Sequence, residues 1–410
     1  MLMPNPQYMK HRLQRIVSNY GLGVALRIIA HRLLLKPLIP LMQPLARRRL
    51  SRWISEADSN RVILIRSTLD LAYPYRQRVH HMALELARQG WRVVFVTPST
   101  GHDPVLIAAG GPNGIVVTPH GEVAMTLVDR PAYLALSTDT TLGQADIDRV
   151  LARGGRVIYD YIDHMDDAVS SHPIPVERMR LHERLLADEE NVLVLATADA
   201  LMQDVASRRR RNMLLVTNGV DVERFKGVAR VATGLRADFA RIVARGRPLL
   251  GYYGSLASWF DYGLVRELAE ARPGFDVVLV GLDLDGTGTA LAGPPDNLFV
   301  LPAMAYEDLP RHAAWFDVCL VPFVVNDITL ATSPLKIFEY MALAKPTVST
   351  DLPECRKYRS VLIADADSFA HACDSALSLK DDPAFQAIAL AESEKNSWGR
   401  KVGDFIQAAK

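Results

Sequence analysis

Residues 332–348 read Thr332-Ser333-Pro334-Leu335-Lys336-Ile337-Phe338-Glu339-Tyr340-Met341-Ala342, then Leu343-Ala344-Lys345-Pro346-Thr347-Val348. Serine suits a helix N-cap and proline the first helical position, so a helix is expected to begin with Ser333 as cap and Pro334 at N1. Its unpaired N–H groups and positive dipole end attract phosphate, and Lys336 in the first turn adds a full charge. Glu339, three residues on, shares a face with Lys336. From one face the cation can meet a diphosphate while the carboxylate accepts hydrogen bonds from ribose hydroxyls. The alternative is a plain ion pair on the solvent side. Gly254 ends an apolar run, where backbone can approach a phosphate without a side chain in the way, and Ser255 offers another donor. The alternative there is an ordinary tight turn.

A second constellation is Tyr159-Asp160-Tyr161-Ile162-Asp163-His164-Met165-Asp166-Asp167, with four carboxylates and a histidine just past an apolar strand. Asp163, His164 and Asp166 are of the type that accepts a proton or orients a substrate's hydroxyls. Capping of the next helix is the alternative. No metal is expected, because hard cations want converging oxygens and His164 is a single softer ligand. Asp283-Leu284-Asp285 reads as a loop. Asn218-Gly219 reads as a tight turn with Gly219 at positive φ, leading into a linker over Asp221 to Phe225.

These residues need a frame, and the apolar runs supply it. Strands are expected at Val62 to Ile65, Arg92 to Val96, Gly114 to Val117, Tyr133 to Leu136, Val157 to Tyr159, Val192 to Leu195 and Met213 to Val216. After a polar stretch from Asp221 to Arg247, strands resume at Leu249 to Tyr253, Val277 to Val280, Leu298 to Leu301, Val318 to Val321, Thr347 to Ser349 and Val361 to Ile363. A helix is expected over Tyr75 to Gln89, entered at Pro74, with Val79, Met82, Ala83 and Leu86 on one face and Gly90 past its end. Continuous apolar strands separated by helices indicate α/β architecture with parallel sheets covered on both faces. Two facing Rossmann-like domains are expected, with ligands at the carboxyl ends of their strands. The boundaries read 1–58 for a basic apolar N-terminal extension, 59–225 and 226–380 for the two domains, and 381–410 for terminal helices.

A chain of 410 residues with 49% apolar and 23% charged residues excludes wholesale disorder and a polytopic membrane protein. Three cysteines without metal-ligand spacing favour a reducing, cytoplasmic compartment over a disulfide framework. The net charge of +1 conceals a segregation, because residues 1–55 hold ten Lys/Arg and no Asp or Glu. That segment is also apolar, but Arg27, Arg32 and Lys36 interrupt it too often for a spanning helix. It suits an amphipathic helix lying on an anionic membrane surface, against the alternative of a helix packed on the protein's own core. Nucleic acid is not an expected partner, since no recognition motif accompanies the charge.

The segment Ser333 to Ala342 resembles the donor-binding helix of nucleotide-sugar glycosyltransferases of the GT-B fold, closest to the retaining family 4 type. Thr217-Asn218-Gly219-Val220-Asp221-Val222-Glu223-Arg224-Phe225 is similar to that family's interdomain signature. Tyr253-Gly254-Ser255-Leu256 is similar to the first turn of its donor domain, and Asn396-Ser397-Trp398 to its C-terminal crossing helix. Ala331 stands eight residues before Glu339, where many members carry a second glutamate, and Arg66 to Tyr75 lacks the glycine-rich turn many members have. The resemblance implies sugar transfer from a nucleoside diphosphate sugar, the donor substrate, to a glycan or lipid-linked acceptor in polysaccharide biosynthesis, without a separate cofactor. It implies donor contacts from Gly254, Ser255, Ser333, Leu335, Lys336 and Glu339, and catalysis through Lys336 with Asp163, His164 and Asp166. The alternatives are a nucleotide-sugar epimerase and a catalytically silent, nucleotide-binding membrane adaptor.

Overall fold

A computed structural model describes residues 22–56, 61–98, 105–112, 114–165 and 174–408. It divides into two compact units, one formed by described residues of Met1–Ala196, Met202–Leu215 and Phe405–Lys410, the other by Thr197–Leu201 and Val216–Asp404.

The first unit is built on an eight-stranded sheet of β1 (Val62–Arg66), β2 (Arg92–Val96), β3 (Ala109–Gly110), β4 (Ile115–Thr118), β5 (Ala132–Leu136), β6 (Arg156–Tyr161), β7 (Val192–Ala196) and β8 (Met213–Leu215). The order is β3-β4-β2-β1-β5-β6-β7-β8, and every pair is parallel except β3 with β4. The chain reverses its direction of winding at β1, which lies between β2 and β5. Ligands of doubly wound sheets bind at such a switch, beyond the strands' carboxyl ends. The two-residue strand β3 carries too little apolar sequence to be legible and was not expected.

The helix expected from Tyr75 instead runs Arg78–Arg88, with Gln77 as its N-cap. The Gln77 N–H donates to His80 Nδ1 at 2.9 Å, and His80 Nε2 lies 2.9 Å from the Asp70 carbonyl. The neutral ring therefore accepts at Nδ1 and donates at Nε2, and burial holds its pKa down at about 4. Tyr73 and Tyr75 pack edge to face before this start, outside the helix. Val79, Met82, Ala83 and Leu86 are buried, as their spacing implied.

Before the sheet, the chain runs through a helix Leu22–Ala30, a π turn His31–Leu35, 3₁₀ turns Lys36–Leu38 and Pro40–Met42, and a helix Gln43–Ser55. Pro37 and Pro40 have no N–H for an α-helical ladder, which accounts for the irregular turns. The helix Gln43–Ser55 buries Ala46 and Leu50 and packs on the helix Gly121–Leu127, while the Arg92 guanidinium lies over the Trp53 ring. Leu26, Leu33, Leu34 and Leu41 remain 57–71% exposed. Among the described residues no helix is long and apolar enough to cross a membrane.

The second unit holds a wholly parallel sheet of β9 (Leu249–Tyr253), β10 (Asp276–Gly281), β11 (Leu298–Pro302), β12 (Val318–Val321), β13 (Thr347–Ser349) and β14 (Val361–Ile363). Its order is β11-β10-β9-β12-β13-β14, so the switch falls at β9. Strands β9 and β12 are buried along their whole length, the pattern of a sheet covered on both faces. The segment before this sheet enters the unit at Val216, and Val220 forms a parallel bridge with Ser397. Helices Pro383–Lys395 and Trp398–Ala408 follow, with Trp398 buried.

Candidate functional site

In the second unit, the turn after β9 meets the start of the helix Leu335–Ala342. Tyr253 ends β9, and its ring lies 5.1 Å from Lys336 Nζ. Gly254 has φ +151°, and a Cβ there would stand 2.6 Å from the Tyr252 hydroxyl and 3.5 Å from Lys336 Cε. Glycine is therefore required by both conformation and space. Gly281, at the end of neighbouring β10, supports this turn from behind, since a Cβ there would fall 2.0 Å from the Gly254 carbonyl. Sequence reasoning passed over Gly281, although a glycine closing an apolar strand is the mark of close backbone approach.

The helix begins one residue later than expected. Pro334 takes the N-cap position, and Ser333 makes no capping bond. The Ser333 hydroxyl is engaged elsewhere: it accepts the Asn218 N–H at 3.4 Å, while Asn218 Nδ2 donates to the Ser333 carbonyl at 2.7 Å. Ser333 is buried, Leu335 half-buried, and Ser255 half-buried with its carbonyl accepting from the Tyr252 hydroxyl at 2.9 Å. Asn218-Gly219 does not form a turn, and Gly219 is not at positive φ. Its glycine is needed for room, because a Cβ would lie 2.6 Å from the Asn396 carbonyl.

Lys336 and Glu339 do share a face, with Nζ 3.4 Å from Oε2, and the pair is not on the solvent side. Glu339 is fully buried and Lys336 only 20% exposed. Neither carboxylate oxygen receives a well-formed hydrogen bond, although the Tyr253 and Tyr306 hydroxyls lie beside it. Burial raises the Glu339 pKa, and the Lys336 charge works against that rise. A tethered cation, a buried acceptor and a side-chain-free turn thus sit together at the topological switch.

The Asp-rich segment of the first unit lies beyond β6, next to the switch strand's neighbour β5. Asp160 is fully buried against Arg78, whose Nε reaches Oδ2 at 2.8 Å and whose NH2 group reaches Oδ1 at 3.0 Å. Arg78 is itself buried in this pair. Asp163 is half-buried, and its pKa is pushed up to about 6 by burial and by the Asp160 carboxylate. His164 Nδ1 lies 3.5 Å from the Tyr161 hydroxyl. Asp166 lies outside the described residues. Asp283 and Asp285 hold a turn, accepting N–H groups of Gly286 and Thr287, and Asp261 caps the helix Tyr262–Ala271 by accepting from the Leu264 N–H. Among the described residues no cluster of three His, Cys, Asp or Glu could hold a metal ion.

Residues 247–378, spanning β9 to β14 and the whole Lys336 site, match the family described as "Glycosyl transferases group 1". That match lies wholly within the second unit. A relative from Bacillus subtilis (strain 168), named "Putative teichuronic acid biosynthesis glycosyltransferase TuaH", is 24% identical over 217 residues. That match covers 50% of this chain, and the chain spans about half (53%) of the curated relative's length. Solved structures share the architecture: Anabaena HepE in complex with UDP-glucose (TM-score 0.59, 15% identity, 85% of this chain and 99% of that one) and the sucrose-phosphate synthase of Thermosynechococcus elongatus (0.58, 14%, 85% and 98%). The E. coli trehalose-6-phosphate protein bound with UDP-2-fluoro glucose is alike to the same degree (0.60, 13%, 85% and 98%). The fold is therefore GT-B, two domains each built on a parallel sheet, as the sequence implied.

Proposed function

We propose that the chain transfers a sugar, with retention of configuration, from a nucleoside diphosphate sugar to a glycan or lipid-linked acceptor. The observation that carries this reading is Lys336 Cε poised 3.5 Å from where a Gly254 side chain would begin, at the switch of the group 1 domain. Helix N–H groups, Gly254, Ser255 and Ser333 would cradle the diphosphate, with Leu335 beside it, and Lys336 would swing from Glu339 to its oxygens. The Glu339 carboxylate, left without a good hydrogen bond, is the acceptor available to ribose hydroxyls. As the glycosidic bond breaks, negative charge grows on the leaving diphosphate, and preorganised donors with a fixed cation lower the barrier. On the first unit, Asp163, with His164 and Asp166 beside it in sequence, is the group proposed to accept the acceptor's proton or orient hydroxyls.

The enzyme would work in the cytoplasm, peripheral to an anionic membrane. Exposed Leu26, Leu33, Leu34 and Leu41, within a segment holding only basic charges, supply side chains for the acyl boundary and cations for headgroups. A thermal-shift screen against nucleoside diphosphates, then product analysis with and without a membrane fraction, tests transfer. A shift with at least one diphosphate and acceptor-dependent product are expected; no shift with any refutes the donor site. Sugar isomerised without acceptor would indicate an epimerase, and binding without turnover an adaptor. Liposome flotation tests the surface, which Leu33→Ser, Leu34→Ser and Leu41→Ser together should weaken.

A further inference from the structure

We infer that Asn218 is a positioning residue of the nucleoside diphosphate site: its two hydrogen bonds to Ser333 set the turn that aims the helix start and Lys336 at the ligand. The inference rests on the donor-site reading above. Asn218 and Ser333 are 115 residues apart, yet one residue grips the other twice, through Nδ2 to the carbonyl at 2.7 Å and through its N–H to the hydroxyl at 3.4 Å. Two bonds to one residue fix the orientation of that peptide as well as its position. Both residues are buried, so water does not compete for these bonds.

The turn needs an outside support. Pro334 follows Ser333 and has no N–H to donate, and the first helical bond beyond it, Ile337 N–H to the Pro334 carbonyl, is long at 3.4 Å. Asn218 can give that support because its own segment is clamped from the other side. The Val220 N–H donates to the Asn396 carbonyl at 3.1 Å, and the Trp398 N–H donates to the Val220 carbonyl at 3.0 Å. Gly219, pressed against Asn396, leaves no slack between the two. Position is therefore transmitted from the C-terminal segment through Asn218 to the residue before the helix.

The test measures binding of UDP and of uridine to the full chain by calorimetry, or of whichever nucleoside diphosphate and nucleoside the screen selects. Asn218→Ala should weaken the diphosphate at least about tenfold, the scale of losing one buried hydrogen bond at the site, and the nucleoside by less than about twofold. Asn218→Asp, which sets a carboxylate against the Ser333 carbonyl, should weaken the diphosphate further. It serves as the second variant should the alanine form fold poorly. Equal weakening of both ligands would show a merely structural role and overturn the proposal, as would unchanged diphosphate affinity in either folded variant. Failure of the unaltered chain to bind any nucleoside diphosphate would instead remove the donor-site reading itself, and this inference with it.

Discussion

Replacing Lys336 by methionine separates what this lysine does for the ligand from what it does for the fold. The Glu339 carboxylate is fully buried, and the Lys336 cation is 3.4 Å away. At an effective dielectric near 20 the gross attraction is about 5 kcal/mol, most of it spent against desolvation. Leaving a buried charge without its partner costs on the order of 3–5 kcal/mol. The carboxylate has an escape, which is to bind a proton. Starting from an unperturbed pKa of 4.5, that costs about 5 kcal/mol at pH 8 and only about 1.4 kcal/mol at pH 5.5. The sign follows from the raised folded pKa: this acid favours the folded state below its unfolded pKa and loses that contribution as pH rises through the folded value. Lys336→Met should therefore destabilise the chain by about 3 kcal/mol at pH 8, lowering the melting midpoint by about 10 °C for a unit of this size. At pH 5.5 the loss should shrink to about 1 kcal/mol. Adding Glu339→Gln removes the stranded charge, so the double variant should melt near the unaltered chain at pH 8. Its sugar transfer should still be at least about 100-fold down, because the cation at the leaving group is gone. Calorimetric melts at the two pH values, run beside transfer assays, read both effects. A double variant as unstable as the single one, or one that transfers sugar normally, would refute the reasoning.

Asp163→Asn should raise the melting temperature at pH 8 and leave it unchanged at pH 4. Its folded pKa of about 6 against an unperturbed 3.8 means that ionisation opposes folding as pH rises. The same variant should lose the acid limb near pH 6 from the pH–rate profile; a stability gain without that loss would leave Asp163 outside the reaction. Arg78→Leu strands Asp160 at full burial and should cost about 3–5 kcal/mol at neutral pH, so a denaturation midpoint close to the original would contradict the pair's assigned weight. Gly219→Ala pushes a methyl group to within 2.6 Å of the Asn396 carbonyl and should cost about 1–3 kcal/mol, visible as a lower urea midpoint; no change would mean the segment can yield.

What the sequence made legible follows from the range of the forces involved. Strands buried on both faces write themselves as apolar runs, and β2, β9, β12, β13 and β14 begin and end where those runs do. The Lys336–Glu339 pair is an i, i+3 relation fixed by helix geometry, so it too is local. Both misplaced helix starts lie where a distant or backward-reaching polar group decides the matter: His80 reaches back to Asp70, and Ser333 is engaged by Asn218 instead of capping its own helix. Gly219 was misread for the same reason, because its requirement comes from Asn396 and not from its own dihedral angles. Arg78 and Asp160 are 82 residues apart and carry no spacing that pairs them, yet their union removes one of the four acids in that segment from solvent, while burial and the Asp160 charge raise the pKa of a second, Asp163. The sequence could thus name the residue types at the site, while buried polar contacts between remote segments settle which of them are held, charged and accessible. Catalytic competence in this fold should accordingly be more sensitive to remote partners such as Asn218 and Arg78 than to exposed neighbours of Lys336.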